Sequence, residues 1–156
     1  VGGELTDTII QGYSNKAHHG YLGNSYVGEW VNLGALTTTS NLKFNLNPVK
    51  YHIHGKRFSS SSPFFGAIIG DYCKTGIGTC LNAGCSVGFG SNLLQGPLYK
   101  GEISPFSWTG TTELEWHDID KFIGSAEKMM ARRNQSLHPD AKKFFKTLYH
   151  TNTTPA

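Results

Sequence analysis

Residues 68–94 read IIGDYCKTGIGTCLNAGCSVGFGSNLL, and in this segment an aliphatic or small side chain recurs at every sixth position. The recurring residues are Ile69, Thr75, Leu81, Val87 and Leu93. An α-helix repeats about every 3.6 residues and an ordinary strand every two, so neither predicts a sustained period of six. A period of six is typical of a triangular coil in which each side has about six residues.

The same frame runs upstream through Ile9, Asn15, Tyr21, Val27, Leu33 and Thr39. Three sides make a coil of about eighteen residues, and successive coils would pair as parallel strands about 4.8 Å apart. We therefore expect three stacked pairs: Ile9 on Val27, Ile69 on Val87, and Thr75 on Leu93. The glycines that follow many of these positions suit tight corners. The sequence thus predicts an all-β solenoid, a parallel β-helix of hexapeptide repeats.

Two segments depart from the period. From about residue 44 to 65 the repeat breaks: residues 49–54 alternate like a short strand, and residues 55–62 resemble a turn and a loop. Long excursions of this kind often lie on a binding face. The repeat is expected to end after Leu94, followed by an aromatic loop around Trp108 and two helices near residues 115–134 and 137–150. We predict a β-helix over 1–96, with the excursion at 44–65, and a cap over 97–156 that covers the end of the solenoid.

Composition restricts the function. The 156 residues carry a net charge of only +3, which does not indicate nucleic-acid binding, and they contain no apolar run of membrane-spanning length. The three cysteines, Cys73, Cys80 and Cys85, lack zinc-ligand spacing and indicate a reducing compartment, the cytoplasm. Cys73 and Cys85 fall at small positions of the repeat and are expected in the core, whereas Cys80 falls at an outward one.

Three motifs carry a family resemblance: NKAHHGYLG at 15–23, VGEWVNLGA at 27–35 and TTTSNLK at 37–43. Together they resemble the acetyltransferase half of bifunctional sugar-1-phosphate nucleotidyltransferases. The resemblance implies a left-handed β-helix that forms a homotrimer. It also implies that acetyl-CoA binds in a cleft between the β-helices of neighbouring subunits. It also implies that an N-terminal nucleotidyltransferase domain would precede this chain. The period of six does not itself give the handedness.

The family motif implies roles for individual residues. His18 would be the general base, since a histidine pKa of about 6.5 suits removal of a proton from an ammonium group. Tyr21 and Asn41 would bind the amino-sugar phosphate, and Lys50 and Lys16 would contact its phosphate. Two further positions are expected at the acetyl-CoA site, Ala35 and Lys74, with Lys74 facing the coenzyme phosphates.

Other interpretations of these residues remain open. His19 falls at an inward small position of the count and could be the structural member of the histidine pair. Asn41 could stack in an asparagine ladder, and Lys50 and Lys74 could be ordinary solvated lysines. The chain also departs from the family pattern: several family members carry a second lysine where this chain has Asn47, and relatives carry a basic stretch where this chain has residues 61–65.

Two alternative functions follow from the same features. The first is a non-catalytic domain that trimerises a sugar-1-phosphate nucleotidyltransferase. The second is a hexapeptide-repeat carbonic anhydrase, which needs three histidines as zinc ligands. The chain has His18, His19, His52 and His54, but their spacing does not resemble that family. We therefore predict no metal site.

Overall fold

The computed structural model describes residues 1–94, 96, 98–109 and 115–153. Its elements, in chain order, are β1 (Glu4–Thr6), β2 (Ile9–Ile10), β3 (Tyr21–Gly23), β4 (Tyr26–Val27), β5 (Asn32–Leu33), β6 (Thr38–Thr39), β7 (Lys50–Ile53), β8 (Lys56–Ser59), β9 (Ile68–Ile69), β10 (Lys74–Thr75), β11 (Cys80–Leu81), β12 (Ser86–Val87), β13 (Asn92–Leu93), β14 (Glu102–Ile103), β15 (Ser107–Thr109), β16 (Glu115–Trp116), α1 (Ile119–Ala131) and α2 (Pro139–Thr153).

Most strands stack in parallel into three sides, as in a β-helix. The first side contains β1 paired with β3, and β6 paired with β11. The second side orders its strands β2-β4-β9-β12-β14, and the third orders them β5-β10-β13-β15. On the first side, β3 and β6 are joined through threonine hydroxyls, since the backbone nitrogens of Tyr21 and Gly23 donate to the Oγ1 atoms of Thr38 and Thr39.

The predicted stacking is confirmed in the second half of the chain and wrong in the first. Ile69 pairs with Val87 and Thr75 with Leu93. In the first half, however, Ile10 pairs with Val27, and Ile9 is 60% exposed. The reason is that β1 pairs with β3, and β2 with β4, at spacings of seventeen residues, one fewer than the count assumed.

This slip changes which side chains point inward near the N-terminus. Leu22 is fully buried, whereas its neighbour Tyr21 is only partly buried. Asn15 bridges to Asn32 on the third side, and the next residue, Lys16, lies buried at 2% exposure. Lys16 and Leu22 therefore take the inward positions that the count gave to Asn15 and Tyr21.

The interior of the stack is a continuous apolar core. Its buried members are Leu22, Val27, Val31, Leu33, Ala67, Ile69, Cys73, Leu81, Cys85, Val87 and Leu93. Cys73 and Cys85 are fully buried, which confirms their predicted role as core residues. Burial raises the pKa of each of these two thiols to about 12. Both therefore stay protonated and unreactive at neutral pH.

We expected the repeat to end after Leu94, but it continues beyond this residue. Tyr99 bridges to Leu81, β14 pairs with β12, and β15 pairs with β13, all in parallel. Pairing thus continues past the boundary predicted at residue 96, through the segment interpreted as an aromatic loop. Strand β16 then pairs antiparallel with β15 and covers the edge of the third side.

The excursion is a β-hairpin rather than a strand followed by a loop. Strands β7 and β8 pair antiparallel with His52 opposite Arg57. Between them, His54 and Gly55 both have positive φ angles, 51° and 71°, as a two-residue type I′ turn requires. The Ser86 hydroxyl donates to the carbonyl oxygen of His52 at 2.6 Å, which fixes the hairpin against the second side.

An aromatic corner separates the second side from the third. Its residues Tyr13, Trp30, Tyr72 and Phe106 all have φ angles near 60°. This left-handed conformation costs roughly 1–2 kcal/mol for a residue with a side chain. Ring contacts offset that cost: Tyr13 stacks on Trp30 with centroids 4.2 Å apart, and Phe106 meets Phe122 of α1 edge to face at 5.2 Å.

The two helices pack along this corner, so the prediction that they cover the end of the solenoid is wrong. Phe122, Ile123 and Ala126 of α1 and Phe145 of α2 are buried in one cluster with Trp30, Tyr72 and Phe106. Phe144 of α2, next to the buried Phe145, is 59% exposed. In the described part of the chain, no helix is long and apolar enough to cross a membrane.

Candidate functional site

Tyr21 and Asn41 meet on the outer surface of the first side. Asn41 Nδ2 donates to Tyr21 Oη at 2.8 Å and to Asn24 Oδ1 at 2.7 Å. Asn24 and Asn41 are seventeen residues apart, one short coil, so they occupy the same corner on neighbouring coils. Asn41 thus stacks on Asn24, as the ladder interpretation expected, and also contacts Tyr21; its binding of the sugar remains a prediction.

The two histidines lie at the corner that precedes β3. The backbone nitrogen of Leu36 donates to the carbonyl oxygen of His19 at 2.9 Å, and that of Gly78 donates to the carbonyl oxygen of Ala35 at 2.8 Å. Residues 18–19, 35–36 and 77–78 therefore stack on successive coils, and we call them the histidine corner. Both histidines are exposed. The inward position that the count gave to His19 is therefore wrong.

A shallow cavity of about 670 Å³ lies between the histidine corner and Tyr21. Its lining consists of Gly3, Glu4, His19, Gly20 and Tyr21. The cavity thus brings His19, rather than His18, to the same depression as Tyr21. His18 lies beside it on the histidine corner, two residues before Gly20, and its selection as the base remains a prediction.

Lys16 lies inside the coil, away from the surface where we expected it to contact phosphate. Its Nζ donates to the carbonyl oxygens of His18 at 2.9 Å and Gly2 at 3.3 Å. Burial lowers the pKa of this ammonium group. With 2% of its surface exposed, Lys16 can support the backbone of the histidine corner but cannot reach a ligand in this conformation.

Lys50 and Asn47 lie in the excursion. Lys50 is exposed at the start of β7, where it pairs with Ser59. Asn47 is exposed in the preceding turn, and its backbone nitrogen donates to Asn45 Oδ1 at 3.2 Å. Within the described residues, no hydrogen bond or ion pair joins Lys50 to Tyr21 or Asn41. The phosphate contact expected of Lys50 therefore remains a prediction.

The two residues predicted to bind acetyl-CoA lie on adjoining surfaces. Ala35 belongs to the histidine corner, directly after Gly34. Lys74 lies on the third side, half-buried, and burial lowers its pKa. Lys74 thus lies on the third side, and Ala35 and His18 lie on the histidine corner, which joins the third side to the first.

Sequence reasoning missed several polar groups near these residues. Asn24 could have been found from its seventeen-residue spacing to Asn41. His117 is buried, and its Nδ1 lies 2.9 Å from Asn92 Nδ2. Burial lowers the His117 pKa. No repeat signal marks His117, because it lies after the last parallel strand. Among the described residues, no three histidine, cysteine or acidic side chains are grouped so that they could hold a metal ion.

Comparisons with known proteins give relatives of one kind. No protein-family model matches the chain. The Bifunctional protein GlmU of Methanococcus vannielii is 40% identical over 105 residues, 67% of this chain and 25% of the relative. The protein of the same name from Methanococcus aeolicus is 34% identical over 131 residues, 83% of this chain and 28% of the relative.

A third relative carries a more explicit name. The Bifunctional sugar-1-phosphate nucleotidylyltransferase/acetyltransferase of Sulfurisphaera tokodaii is 33% identical over 100 residues, 64% of this chain and 25% of the relative. The chain therefore spans about a quarter of the length of these curated relatives, and the matching part is their C-terminal quarter.

Proposed function

Because the chain is homologous to the C-terminal quarter of bifunctional sugar-1-phosphate nucleotidyltransferase/acetyltransferases, we propose that it is an acetyltransferase part of such a protein. The reaction is transfer of an acetyl group from acetyl-CoA to the amine of an amino-sugar 1-phosphate. The observation that carries the proposal is the hydrogen bond between Asn41 and Tyr21 beside the histidine corner. It joins two residues of the family motif on neighbouring coils.

The chemistry needs one base and a few polar contacts. His18 removes a proton from the substrate ammonium group, and the free amine attacks the carbonyl carbon of the thioester. A carbon–nitrogen bond forms, the carbon–sulfur bond breaks, and the coenzyme leaves as a thiolate that takes up a proton. Asn41 Oδ1, which accepts no hydrogen bond from a described residue, is available to the sugar. Lys50 supplies positive charge for the phosphate.

Acetyl-CoA would lie along the histidine corner. Ala35 has a small side chain and leaves room beside His18, and Lys74 offers a cation on the adjoining third side for the coenzyme phosphates. The three cysteines are free, which suits the reducing cytoplasm in which we place the protein.

We further propose that the β-helix is left-handed and that the active form is a homotrimer. The histidine corner exposes two large apolar side chains, Leu36 at 57% and Ile77 at 79%. Clustered apolar side chains on a surface commonly mark a protein interface. A second copy packed on this corner would cover them and would close the open cavity beside Tyr21 into a cleft.

The test is release of free thiol from acetyl-CoA in the presence of glucosamine-1-phosphate or galactosamine-1-phosphate. The wild-type chain should release thiol only when an amino-sugar phosphate is present. The His18→Ala variant should lose about 10²–10⁴-fold of the rate, the range expected for a general base. His19→Ala is the matched control, because it removes the neighbouring imidazole of the same corner. Loss of activity with His19→Ala alone would move the base to His19.

The alternative is a non-catalytic domain that trimerises a nucleotidyltransferase. One observation favours it: Lys16 is buried at 2% exposure and does not offer the phosphate contact that the family resemblance implies. A trimeric chain that releases no thiol with either sugar would support this alternative and reject acetyl transfer.

A further inference from the structure

A second potential binding site lies between the third side and helix α1, where two cavities adjoin. The first has a volume of about 650 Å³ and the second about 730 Å³, and both are lined by Lys74, Ser125 and Lys128. We call the two cavities together the α1 groove. Ligand pockets commonly have volumes of about 300–1,000 Å³, so each cavity could hold a small organic molecule.

The groove concentrates positive charge. Lys74, Lys128, Arg132 and Arg133 line the first cavity, and no carboxylate lines it. Lys121 adds a fifth cation in the second cavity. Across the part of the chain that the structure describes, none of these five side chains forms an ion pair.

The acidic residues of α1 are neutralised from the other side. Glu127 pairs with Lys142 of α2, and Asp120, which lines the second cavity, pairs with Lys146 at 3.0 Å. Helix α2 thus pairs with the carboxylates Asp120 and Glu127 of α1. The basic side chains of α1, and of Arg132 and Arg133 directly after it, line the groove with no ion-pair partner among the described residues. This segregation leaves an electrostatic field that favours an anion.

The spacing along α1 and its C-terminal end explains how the basic side chains come to line one surface. Residues 121, 125, 128 and 132 follow the three- and four-residue steps that place side chains on a single helix face. Two like charges four residues apart, as at Lys128 and Arg132, destabilise a helix slightly. A bound anion would offset this repulsion.

The floor of the groove supplies hydrogen-bonding groups in a row. Asn32, Lys74 and Asn92 pair in register on neighbouring strands. Asn15 Nδ2 donates to Asn32 Oδ1 at 3.1 Å, which leaves the Asn32 amide hydrogens available. At one end, the stacked rings of Tyr13 and Trp30 provide a flat apolar wall.

We propose that the α1 groove binds a nucleotide-type ligand, with phosphate groups held by Lys74, Lys128 and Arg132 and the base near Tyr13 and Trp30. A free nucleotide and the nucleotide portion of coenzyme A share this chemistry. The groove lies on the third side, away from Tyr21 and Asn41, but it shares Lys74 with the acetyl-CoA site proposed above. A bound coenzyme would therefore deepen that proposal, whereas a bound free nucleotide would not depend on it; in both cases binding is measured without acetyl transfer.

The test is isothermal titration calorimetry of the full chain with ADP, coenzyme A and inorganic pyrophosphate as probes. Lys128→Gln and Arg132→Gln each remove one groove cation, and Ser125→Phe fills the space shared by both cavities without changing charge. Lys143→Gln is the matched control, because it removes a lysine from the exposed surface of α2. Thermal unfolding of each variant confirms that it is folded.

We expect at least one probe to bind, with Kd raised about ten-fold by each charge variant and binding abolished by Ser125→Phe. Lys143→Gln should change Kd less than about two-fold. Binding of ADP assigns a free nucleotide, and binding of coenzyme A alone assigns the coenzyme. If no probe binds, or if the three groove variants bind like wild type, the proposal is rejected.

Discussion

The ammonium group of Lys16 donates a hydrogen bond of 2.9 Å to the backbone carbonyl oxygen of His18. The family resemblance implies that Lys16 contacts the ligand. In the structure, Lys16 instead lies inside the coil and holds the backbone of His18, the predicted base. Lys16 and His18 are only two residues apart, so a substitution of Lys16 should shift the backbone of the histidine corner. Lys16 and Lys50, both predicted to contact phosphate, thus have different expected roles.

Kinetic constants should separate these roles. Lys16→Met should lower kcat about ten-fold with little change in KM for the amino-sugar phosphate, because the base loses its fixed position. Lys50→Met should raise KM about ten-fold, because it removes a charge that contacts the phosphate. Steady-state rates over a range of sugar concentrations give both constants. A raised KM in Lys16→Met would show that Lys16 reaches the ligand after all.

The contact between Tyr21 and Asn41 should appear as energetic coupling. Tyr21→Phe removes the acceptor Oη, and Asn41→Ala removes the donor. Residues in direct contact commonly show interaction energies of about 0.5–3 kcal/mol in a double-mutant cycle. We expect coupling in this range in the transition-state free energy derived from kcat/KM. Additive effects of the two substitutions would contradict the view that they act on the substrate as one unit.

Exposure at the histidine corner predicts the oligomeric state. Leu36→Glu should convert the trimer into a monomer, because it places a charge in an apolar interface. Multi-angle light scattering measures the mass. Phe144→Glu is the control, since Phe144 is equally exposed but lies on α2, away from the corner. A wild-type monomer, or a trimer that survives Leu36→Glu, would contradict this interface.

His117 should make the stability of the fold depend on pH. Its pKa is lowered chiefly by burial, and also by Lys74 and Lys121, whereas the carbonyl of Gly90 and Asp118 raise it. As pH falls, the unfolded chain therefore takes up this proton near pH 6.5, before the folded chain does, because the His117 pKa is lower in the folded chain. The free energy of unfolding should consequently fall as pH decreases below about 6.5, and level off below the folded pKa.

Urea unfolding at pH values between about 7.5 and 5 checks this dependence. His117→Gln should reduce the acid-dependent loss, because it removes the titrating group. His54→Gln, at the exposed tip of the hairpin, should leave the loss unchanged. If His117→Gln shows the same pH dependence as wild type, burial of the neutral His117 imidazole does not cause the loss of unfolding free energy at acid pH.

The uninterrupted repeat of residues 68–94 could be predicted in register, because its five inward positions are each separated by six residues. The upstream frame could not, since single-residue shortening of a coil depends on corner conformations such as Asn24 with φ of 46°. The six-residue count therefore placed Ile9 and Tyr21 at inward positions that Ile10 and Leu22 occupy in the structure. The position of the helices was also beyond the sequence, because an amphipathic pattern shows that a helix packs but not on which surface.

The candidate site was predictable in part. Tyr21 and Asn41 belong to a family motif, and their contact follows once the coils stack. The burial of Lys16 was not predictable, because a lysine is seldom inside a fold and its location depends on free carbonyl oxygens at the coil interior. The α1 groove was missed because its charges come from α1 and from Lys74, which only the folded chain brings together.

The most direct measurement of the central claim is identification of the product by mass spectrometry. The chain would be incubated with acetyl-CoA and glucosamine-1-phosphate, and the sugar phosphate analysed for an added acetyl group on nitrogen. The account predicts N-acetylated sugar phosphate with the wild-type chain and at most a trace with His18→Ala. Unmodified sugar with the trimeric wild-type chain, or equal product with His18→Ala, would contradict it.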